Sequence, residues 1–239
     1  MTPQDLIGRG LPRSIEFPIA AAGLAVLSPV LAVCAILVRI SSPGRIIFRQ
    51  QRMGRGGKLF TLYKFRTMAD SGGGLPVTAA DDRRITSIGR ILRKWKLDEL
   101  PEIYNVLRGD MSFAGPRPEV PELVDLSDPA WNVILSVRPG ITDSVTLQMR
   151  NEEALLATVE DKEAFYREVI QPFKIAGYLE YLKNKNAKTD LKIIAQTLQT
   201  LLFPSAAPPV CRGGLIAEKP AERSLLPADR RLRIARLKR

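Results

Sequence analysis

The sequence predicts an α+β protein that is mainly helical, with an apolar membrane helix near its N-terminus and a compact domain that carries a small β-hairpin. Three observations predict this class. Residues 17–38 contain no charged side chain over a length that can cross hydrocarbon. Two β-favouring runs flank a glycine-rich loop within residues 46–68. Helical periodicity dominates from residue 152 to residue 202.

Composition limits the chemistry that this chain can perform. With 239 residues it can hold one sizeable domain and appendages. A formal net charge of +11 indicates a surface that attracts anions, whether nucleic acid, acidic lipid or phosphorylated substrates. Histidine is absent, which excludes Ser-His-Asp catalysis and histidine-ligated metals. Cys34 and Cys211 offer neither a disulfide framework nor a cysteine zinc site, which favours a reducing compartment.

The apolar run at residues 17–38 is predicted to be a membrane segment. It is too long for a signal peptide and lacks a cleavage site of small residues. Pro29, at its centre, removes a backbone donor and bends a helix, while the Ser28 hydroxyl can bond to the freed carbonyl. Two topologies stay open: a kinked spanning helix, and a re-entrant hairpin that enters and leaves on one face. Either one leaves the bulk of the chain cytoplasmic under the positive-inside rule.

A β-hairpin and a basic helix are predicted next. The hairpin strands cover residues 46–53 and 59–68. Lys64 in the second strand is either a solvated strand residue or a phosphate contact. Residues 69–82 have the composition of a flexible loop. A basic amphipathic helix then covers residues 82–96, where apolar residues recur at three- and four-residue spacing.

Two adjacent carboxylates, Asp98 and Glu99, follow this helix and precede a short helix with Pro101 in its first turn. The dipole at a helix N-terminus favours ionised carboxylates, and an ionised aspartate is a competent nucleophile. The simpler interpretation is that Asp98 caps the helix. Adjacent helical residues point about 100° apart, so the two do not form a facing acid/base pair. One could attack while the other holds a metal ion.

The rest of the domain combines turn-rich loops with helices. Arg117 lies between two prolines, which restricts the guanidinium and suits it to bind phosphate. A second Arg-Pro-Gly turn stands at residues 138–140, and a short β-favouring run leads to Arg150. The helical pattern after residue 152 is interrupted near Pro172 and at residues 183–188.

Four motifs in this order resemble those of the bacterial sugar transferases, the small monotopic phosphoglycosyl transferases. They are F-R-Q-x-R-x-G-R-x-G-K-x-F-x-x-Y-K-F-R-T-M at residues 48–68, D-x-R-x-T-x-x-G-x-x-L-R at 82–93, L-D-E-L-P-x-x-x-N-V-L-x-G-D-M-S-x-x-G-P-R-P at 97–118, and R-P-G-I-T at 138–142. The resemblance implies transfer of a sugar 1-phosphate from a nucleotide-diphosphate sugar to polyprenyl (undecaprenyl) phosphate. It also implies a covalent aspartyl-phosphosugar intermediate, Mg²⁺, and a role in initiating glycan or exopolysaccharide assembly.

By position in these motifs, the resemblance makes Asp98 the nucleophile and Glu99 the partner of the magnesium ion. It implies a re-entrant helix that bends at Ser28-Pro29. The segment after residue 142 departs from the family pattern. The residues implied to contact phosphate are Lys64, Arg93, Arg117 and Arg150.

The predicted organisation is a membrane anchor with a re-entrant helix at residues 1–43, a catalytic domain at 44–203 and a basic, flexible tail at 204–239. The expected partners are the nucleotide sugar, polyprenyl phosphate and lipids of the inner leaflet, without nucleic acid; a homo-oligomer is left open. The catalytic domain is expected on the cytoplasmic face of the bacterial inner membrane. Two alternatives compete: a non-catalytic basic membrane-anchored protein that binds anionic lipid or nucleic acid, and an inactive scaffold related to the enzymes.

Overall fold

The computed structural model describes residues 8, 10–69 and 78–203. They form an α+β fold that is mainly helical, which confirms the predicted class. The predicted tail and most of the loop that was expected at 69–82 lie outside these residues, as does the start of the chain. The helices are α1 (Arg13–Ser41), α2 (Ser87–Lys94), α3 (Glu102–Arg108), α4 (Pro129–Ile134), α5 (Ser144–Gln148), α6 (Glu152–Leu156), α7 (Lys162–Phe165), α8 (Gln171–Lys183) and α9 (Ala187–Leu202).

The predicted β-hairpin is present. Strands β1 (Ile47–Met53) and β2 (Leu59–Phe65) pair antiparallel along their full length. Gly56 and Gly57 turn the chain between them with φ of 71° and 72°, a conformation that favours glycine. The second strand ends at Phe65, three residues before the predicted boundary at residue 68. Beyond the strand, the Thr67 carbonyl accepts a hydrogen bond from the Thr86 amide instead of pairing with β1.

A small parallel sheet, which the sequence did not predict, joins the two turn-rich loops. Strand β3 (Ser112–Ala114) pairs with β4 (Gly140–Thr142). The backbones approach so closely after β3 that a Cβ atom on Gly140 would lie 2.1 Å from the Gly115 nitrogen. Glycine is therefore required for this contact, which brings the Arg117 loop beside β4.

Polar side chains set several helix boundaries that periodicity placed wrongly. Helix α2 begins five residues after its predicted start, because Asp82 bonds to the Arg84 backbone and side chain in a turn and Thr86 caps the helix. Helix α5 occupies the segment that was expected to be β-favouring. There Asp143 accepts hydrogen bonds from the Val145 and Thr146 amides.

The C-terminal helices follow the prediction in part. The interruption expected at residues 183–188 is confirmed, since α8 ends at Lys183 and α9 begins at Ala187. The interruption expected near Pro172 is wrong. Helix α7, a π-helical turn at Tyr166–Ile170 and α8 follow one another without a gap, and Pro172 lies in the first turn of α8, where its missing donor is tolerated.

Helix α1 is, within the described residues, the one helix long and apolar enough to cross a membrane by length and composition. Pro29 cannot donate to the Ala25 carbonyl four residues earlier. The Ser28 hydroxyl donates to that same carbonyl at 2.8 Å, as the sequence suggested. The serine therefore replaces the hydrogen bond that the proline removes.

Both ends of α1 pack against the domain, while its middle is exposed. Near the start, the fully buried Glu16 accepts hydrogen bonds from the Ser112 hydroxyl and the Phe113 amide and pairs with Arg138 at 2.7 Å. Near the end, Val38 lies in a buried cluster with side chains of β2 and α2. Between these contacts Val26 is 76% exposed. The apolar middle of the helix therefore has no covering protein surface among the described residues.

Candidate active site

The two adjacent carboxylates lie in a 3-10 turn, Leu97–Glu99, that links α2 to α3. Asp98 does not cap α3, so that interpretation is wrong: the residue before the helix is Pro101, and no side chain caps it. The Asp98 side chain is instead buried, with 6% of the residue exposed. Its Oδ1 atom accepts no hydrogen bond from any residue that the structure describes. A buried carboxylate oxygen without a partner is energetically unfavourable, and it is available to bind a ligand.

Glu99 is held by cations from two parts of the fold. Lys64 on β2 donates to its Oε1 at 3.1 Å. Arg117 contributes a fork, with Nη2 2.8 Å from Oε1 and Nη1 3.1 Å from Oε2. The Arg117 Nη1 group also donates to the Ile141 carbonyl at 2.5 Å. The β-hairpin and the parallel sheet therefore fix both cations beside the dyad.

Glu102 is a third carboxylate of the site that the sequence analysis missed. It is fully buried, and its Oε1 lies 3.2 Å from Lys64 Nζ and 3.5 Å from Arg117 Nη2. Neither oxygen accepts a well-formed hydrogen bond within the described residues. The spacing of three residues from Glu99 was the available signal, because such residues are neighbours on a helical turn.

The three carboxyl groups differ in their affinity for protons. Burial raises the pKa of Asp98, as does the neighbouring Glu99 charge, against the pull of Lys64. Burial also raises the pKa of Glu102. For Glu99 burial acts in the same direction, but Arg117 and Lys64 outweigh it and hold its pKa well below the usual value. Glu99 therefore releases its proton at a lower pH than is usual for a glutamate, whereas Asp98 and Glu102 keep theirs to a higher pH than is usual.

The remaining predicted phosphate contacts are tied to other parts of the chain. Arg93 on α2 pairs with Glu153 at 2.6 Å and donates to the Thr67 hydroxyl at 3.1 Å. Its charge still favours the ionised form of Asp98. Arg150 donates to the Thr200 carbonyl at 2.7 Å, in the last turn of α9. The structure brings Lys64, Glu99 and Arg117 into direct contact, and the phosphate roles of Lys64, Arg93, Arg117 and Arg150 all stay predictions.

The donor chemistry of the dyad suits Mg²⁺. Among the described residues, no three histidine, cysteine or acidic side chains are grouped to hold a metal ion. Mg²⁺ commonly needs only one or two protein carboxylates, since waters and substrate phosphates complete its octahedron. The Glu99 carboxylate and the partnerless Asp98 Oδ1 are oxygen ligands of that kind.

The site thus combines a buried carboxylate without a partner and two fixed cations in a domain that packs on an apolar helix. A family model described as bacterial sugar transferase matches residues 8–204. The chain therefore belongs to the bacterial sugar transferase family, which confirms the family and the transferase class expected from its motifs.

Curated relatives carry names of the same kind. A UDP-N-acetylgalactosamine-undecaprenyl-phosphate N-acetylgalactosaminephosphotransferase of Aeromonas hydrophila is 33% identical over 80% of this chain and 43% of its own length. A UDP-glucose:undecaprenyl-phosphate glucose-1-phosphate transferase of Caulobacter vibrioides is 36% identical over 80% of this chain and 69% of its own length. The exopolysaccharide production protein ExoY of Sinorhizobium fredii is 32% identical over 78% of this chain and 83% of its own length. The chain thus spans less than half of the Aeromonas protein and larger shares of the other two.

Proposed function

We propose that this chain transfers a sugar 1-phosphate from a nucleotide-diphosphate sugar to undecaprenyl phosphate, through a covalent aspartyl-phosphosugar at Asp98. The observation that carries the proposal is the buried Asp98 carboxylate, whose Oδ1 has no partner among the described residues, beside Glu99, Lys64 and Arg117. The family and the names of the relatives support the reaction class. The product would start the assembly of a glycan or exopolysaccharide.

The reaction proceeds in two displacements at one phosphorus. An Asp98 carboxylate oxygen attacks the phosphorus that bears the sugar, the anhydride bond breaks, and nucleoside monophosphate leaves with the bonding electrons. A phosphate oxygen of the lipid then attacks the same phosphorus and releases Asp98 as a carboxylate. One phosphoanhydride is broken and one is made, so no external energy source is needed.

The main obstacle is repulsion between an anionic nucleophile and an anionic diphosphate. Lys64 and Arg117 are held in place by Glu99 and Glu102, so they can receive phosphate oxygens without reorganising. Glu99, with Asp98 beside it, would hold Mg²⁺ together with the diphosphate. Bound there, the ion would neutralise charge on the phosphate oxygens. Ion pairing also explains how Glu99 stays ionised at low dielectric.

The non-catalytic alternative is not supported by the comparisons, since the relatives are named as sugar phosphotransferases or exopolysaccharide proteins. Those relatives differ in the sugar that their names specify, glucose in one and N-acetylgalactosamine in another. A panel of nucleotide sugars is therefore the first experiment. The purified protein with undecaprenyl phosphate and Mg²⁺ should release nucleoside monophosphate from at least one of them. If none is released while the protein binds duplex DNA in a salt-sensitive manner, the proposal fails and the binding alternative gains support.

We further propose that α1 is re-entrant and that the domain lies on the cytoplasmic face of the inner membrane. A straight helix of 29 residues would be about 43 Å long, enough to carry its ends to opposite sides of the hydrocarbon. Yet Glu16 near the start bonds to polar groups of the domain, and Val38 near the end packs against the same domain. Both ends therefore belong on the side of the domain, with the exposed middle in lipid.

Cysteine labelling tests this topology. In a chain without its two native cysteines, Ser14→Cys should react with an impermeant maleimide only after spheroplasts are permeabilised, because residue 14 lies on the cytoplasmic side. Ser14 is exposed, which makes the thiol accessible once the reagent enters. Ser127→Cys in an exposed loop of the domain is the matched control and should behave identically. Labelling of residue 14 in intact spheroplasts would show instead that α1 spans the bilayer.

A further inference from the structure

Lys96, directly before the dyad, has an unusual backbone. Its φ of 56° and ψ of 22° lie in the left-handed region, and no other residue except glycine has a positive φ in the described part of the chain. Lys96 follows Trp95, the C-terminal cap of α2, and its amide bonds back to the Arg93 carbonyl at 3.1 Å. Glycine, or sometimes asparagine, normally occupies this position after a helix. Local backbone preference therefore does not explain a lysine at this position, which indicates that the lysine side chain has a function of its own.

The Lys96 ammonium group faces the dyad without a close ion pair. Its Nζ lies 4.0 Å from Glu99 Oε1, and the side chain is 34% exposed. Lys64 and Arg117 are each 20% exposed and lie 3.1 Å and 2.8 Å from the same carboxylate oxygen. Arg93 lies 2.6 Å from Glu153. Of these four cations, Lys96 is the most accessible and the one least neutralised by a carboxylate.

We propose that Lys96 is a further phosphate-binding residue, which receives either the diphosphate of the nucleotide sugar or the phosphate of the lipid. The proposal rests on the proposed function, since it adds a cation to the same site. The left-handed backbone of Lys96 directs the chain from α2 into the 3-10 turn that carries the dyad. Lys96 is therefore the residue at which the chain enters this turn, two positions before Asp98. A partly exposed ammonium group there adds positive charge where the repulsion between Asp98 and the phosphate is greatest.

Substitution of Lys96 separates the charge from the backbone. Lys96→Gly removes the charge and relieves the left-handed strain, so its thermal midpoint in detergent should equal or exceed that of the parent. Its KM for one phosphate-bearing substrate should nevertheless rise about tenfold, as expected for the loss of one charge-assisted hydrogen bond. Lys96→Asn should resemble it, and Lys96→Arg should restore most of the affinity. A rise in KM for the nucleotide sugar identifies the donor diphosphate, and a rise for undecaprenyl phosphate identifies the lipid.

Lys94→Asn is the matched control. Lys94 is an exposed cation two residues away that stacks over Trp95, and no contact joins it to the dyad within the described residues. The KM values of the Lys94→Asn variant should therefore stay at the parental level. Parental KM values for both substrates in Lys96→Gly and Lys96→Asn would overturn the proposal. If Lys96 only supported the fold, its loss would lower the thermal midpoint and the substrate affinity together. A thermal midpoint that is unchanged or higher, combined with a raised KM, therefore distinguishes phosphate binding from a structural role.

A binding measurement keeps this test independent of turnover. Inorganic pyrophosphate is titrated calorimetrically into Asp98→Asn and into Asp98→Asn/Lys96→Gly. Weaker binding to the double variant supports the role of Lys96 even if no nucleotide sugar is found to react. Equal affinity for pyrophosphate, together with a parental KM for undecaprenyl phosphate in Lys96→Gly, overturns it.

Discussion

Asp98→Asn is expected to abolish the incorporation of sugar phosphate into a lipid extract. The loss should reach about four orders of magnitude or more, as when other covalent nucleophiles are removed. An amide cannot supply the carboxylate oxygen that forms the aspartyl phosphate, and the oxygens of the neighbouring Glu99 are already bonded to Lys64 and Arg117. Purified protein, the reactive nucleotide sugar with a labelled sugar phosphate, and extraction of the lipid product provide the measurement.

The stability of this variant should be unchanged, which separates a chemical effect from misfolding. Asparagine has nearly the same shape as aspartate, and burial already disfavours the charge that the substitution removes. Asp125→Asn, in an exposed loop where Asp125 bonds to Ser127, is the matched control and should transfer at the parental rate. Robust turnover by Asp98→Asn, with the protein in the membrane fraction, would refute the covalent mechanism.

Arg117→Met is expected to cause the largest loss of stability. It leaves Glu99 and the fully buried Glu102 with Lys64 as their remaining close cation. Breaking a buried ion pair in this way typically costs about 3–5 kcal/mol. Protonation of Glu102, whose pKa is already raised, limits the loss to about 3 kcal/mol, at the lower end of that range. Thermal unfolding in detergent should show a midpoint about 10 °C lower.

Two further variants identify the cause of that loss. Arg117→Lys keeps the charge but loses the fork on Glu99 together with the bond to the Ile141 carbonyl, so it should fall between parent and Arg117→Met. Arg117→Met/Glu102→Gln should recover part of the stability, because it removes one of the two carboxylates that Lys64 would otherwise have to neutralise alone. A parental midpoint for Arg117→Met would mean that the cluster contributes little to the folded state.

Features with a local cause were predictable from the sequence. Alternation and a glycine-rich loop located the hairpin, and Pro101 located the start of α3 within a residue. The bond from Ser28 to Ala25 followed from the missing donor of Pro29. Local preference failed at α5, where the Asp143 cap outweighs the β preference of valine and threonine.

Features created by long-range packing were not predictable. The burial of Asp98 depends on elements that a window of sequence cannot place, so capping was the simpler interpretation of a carboxylate before a proline. Glu102 looked like an ordinary acidic residue in a first helical turn. The parallel sheet joins segments that are 28 residues apart in its register, Ser112 with Gly140, and neither alone has the length of a strand. The hydrogen bond from Arg117 to the Ile141 carbonyl depends on this sheet, so it could not be predicted from the sequence either.

The contacts of Glu16 have a consequence for dissecting the molecule. Glu16 belongs to the apolar helix, yet it satisfies the Ser112 hydroxyl, the Phe113 amide and Arg138. These groups lie in or beside the sheet that positions Arg117. A truncated, detergent-free protein that begins after α1 would leave an arginine, a hydroxyl and an amide without their acceptor. It would also uncover Phe65 and Leu92, which pack against Val38 of the helix. Removing the helix would therefore disturb the loop that holds Arg117, so detergents or nanodiscs suit this protein better than truncation.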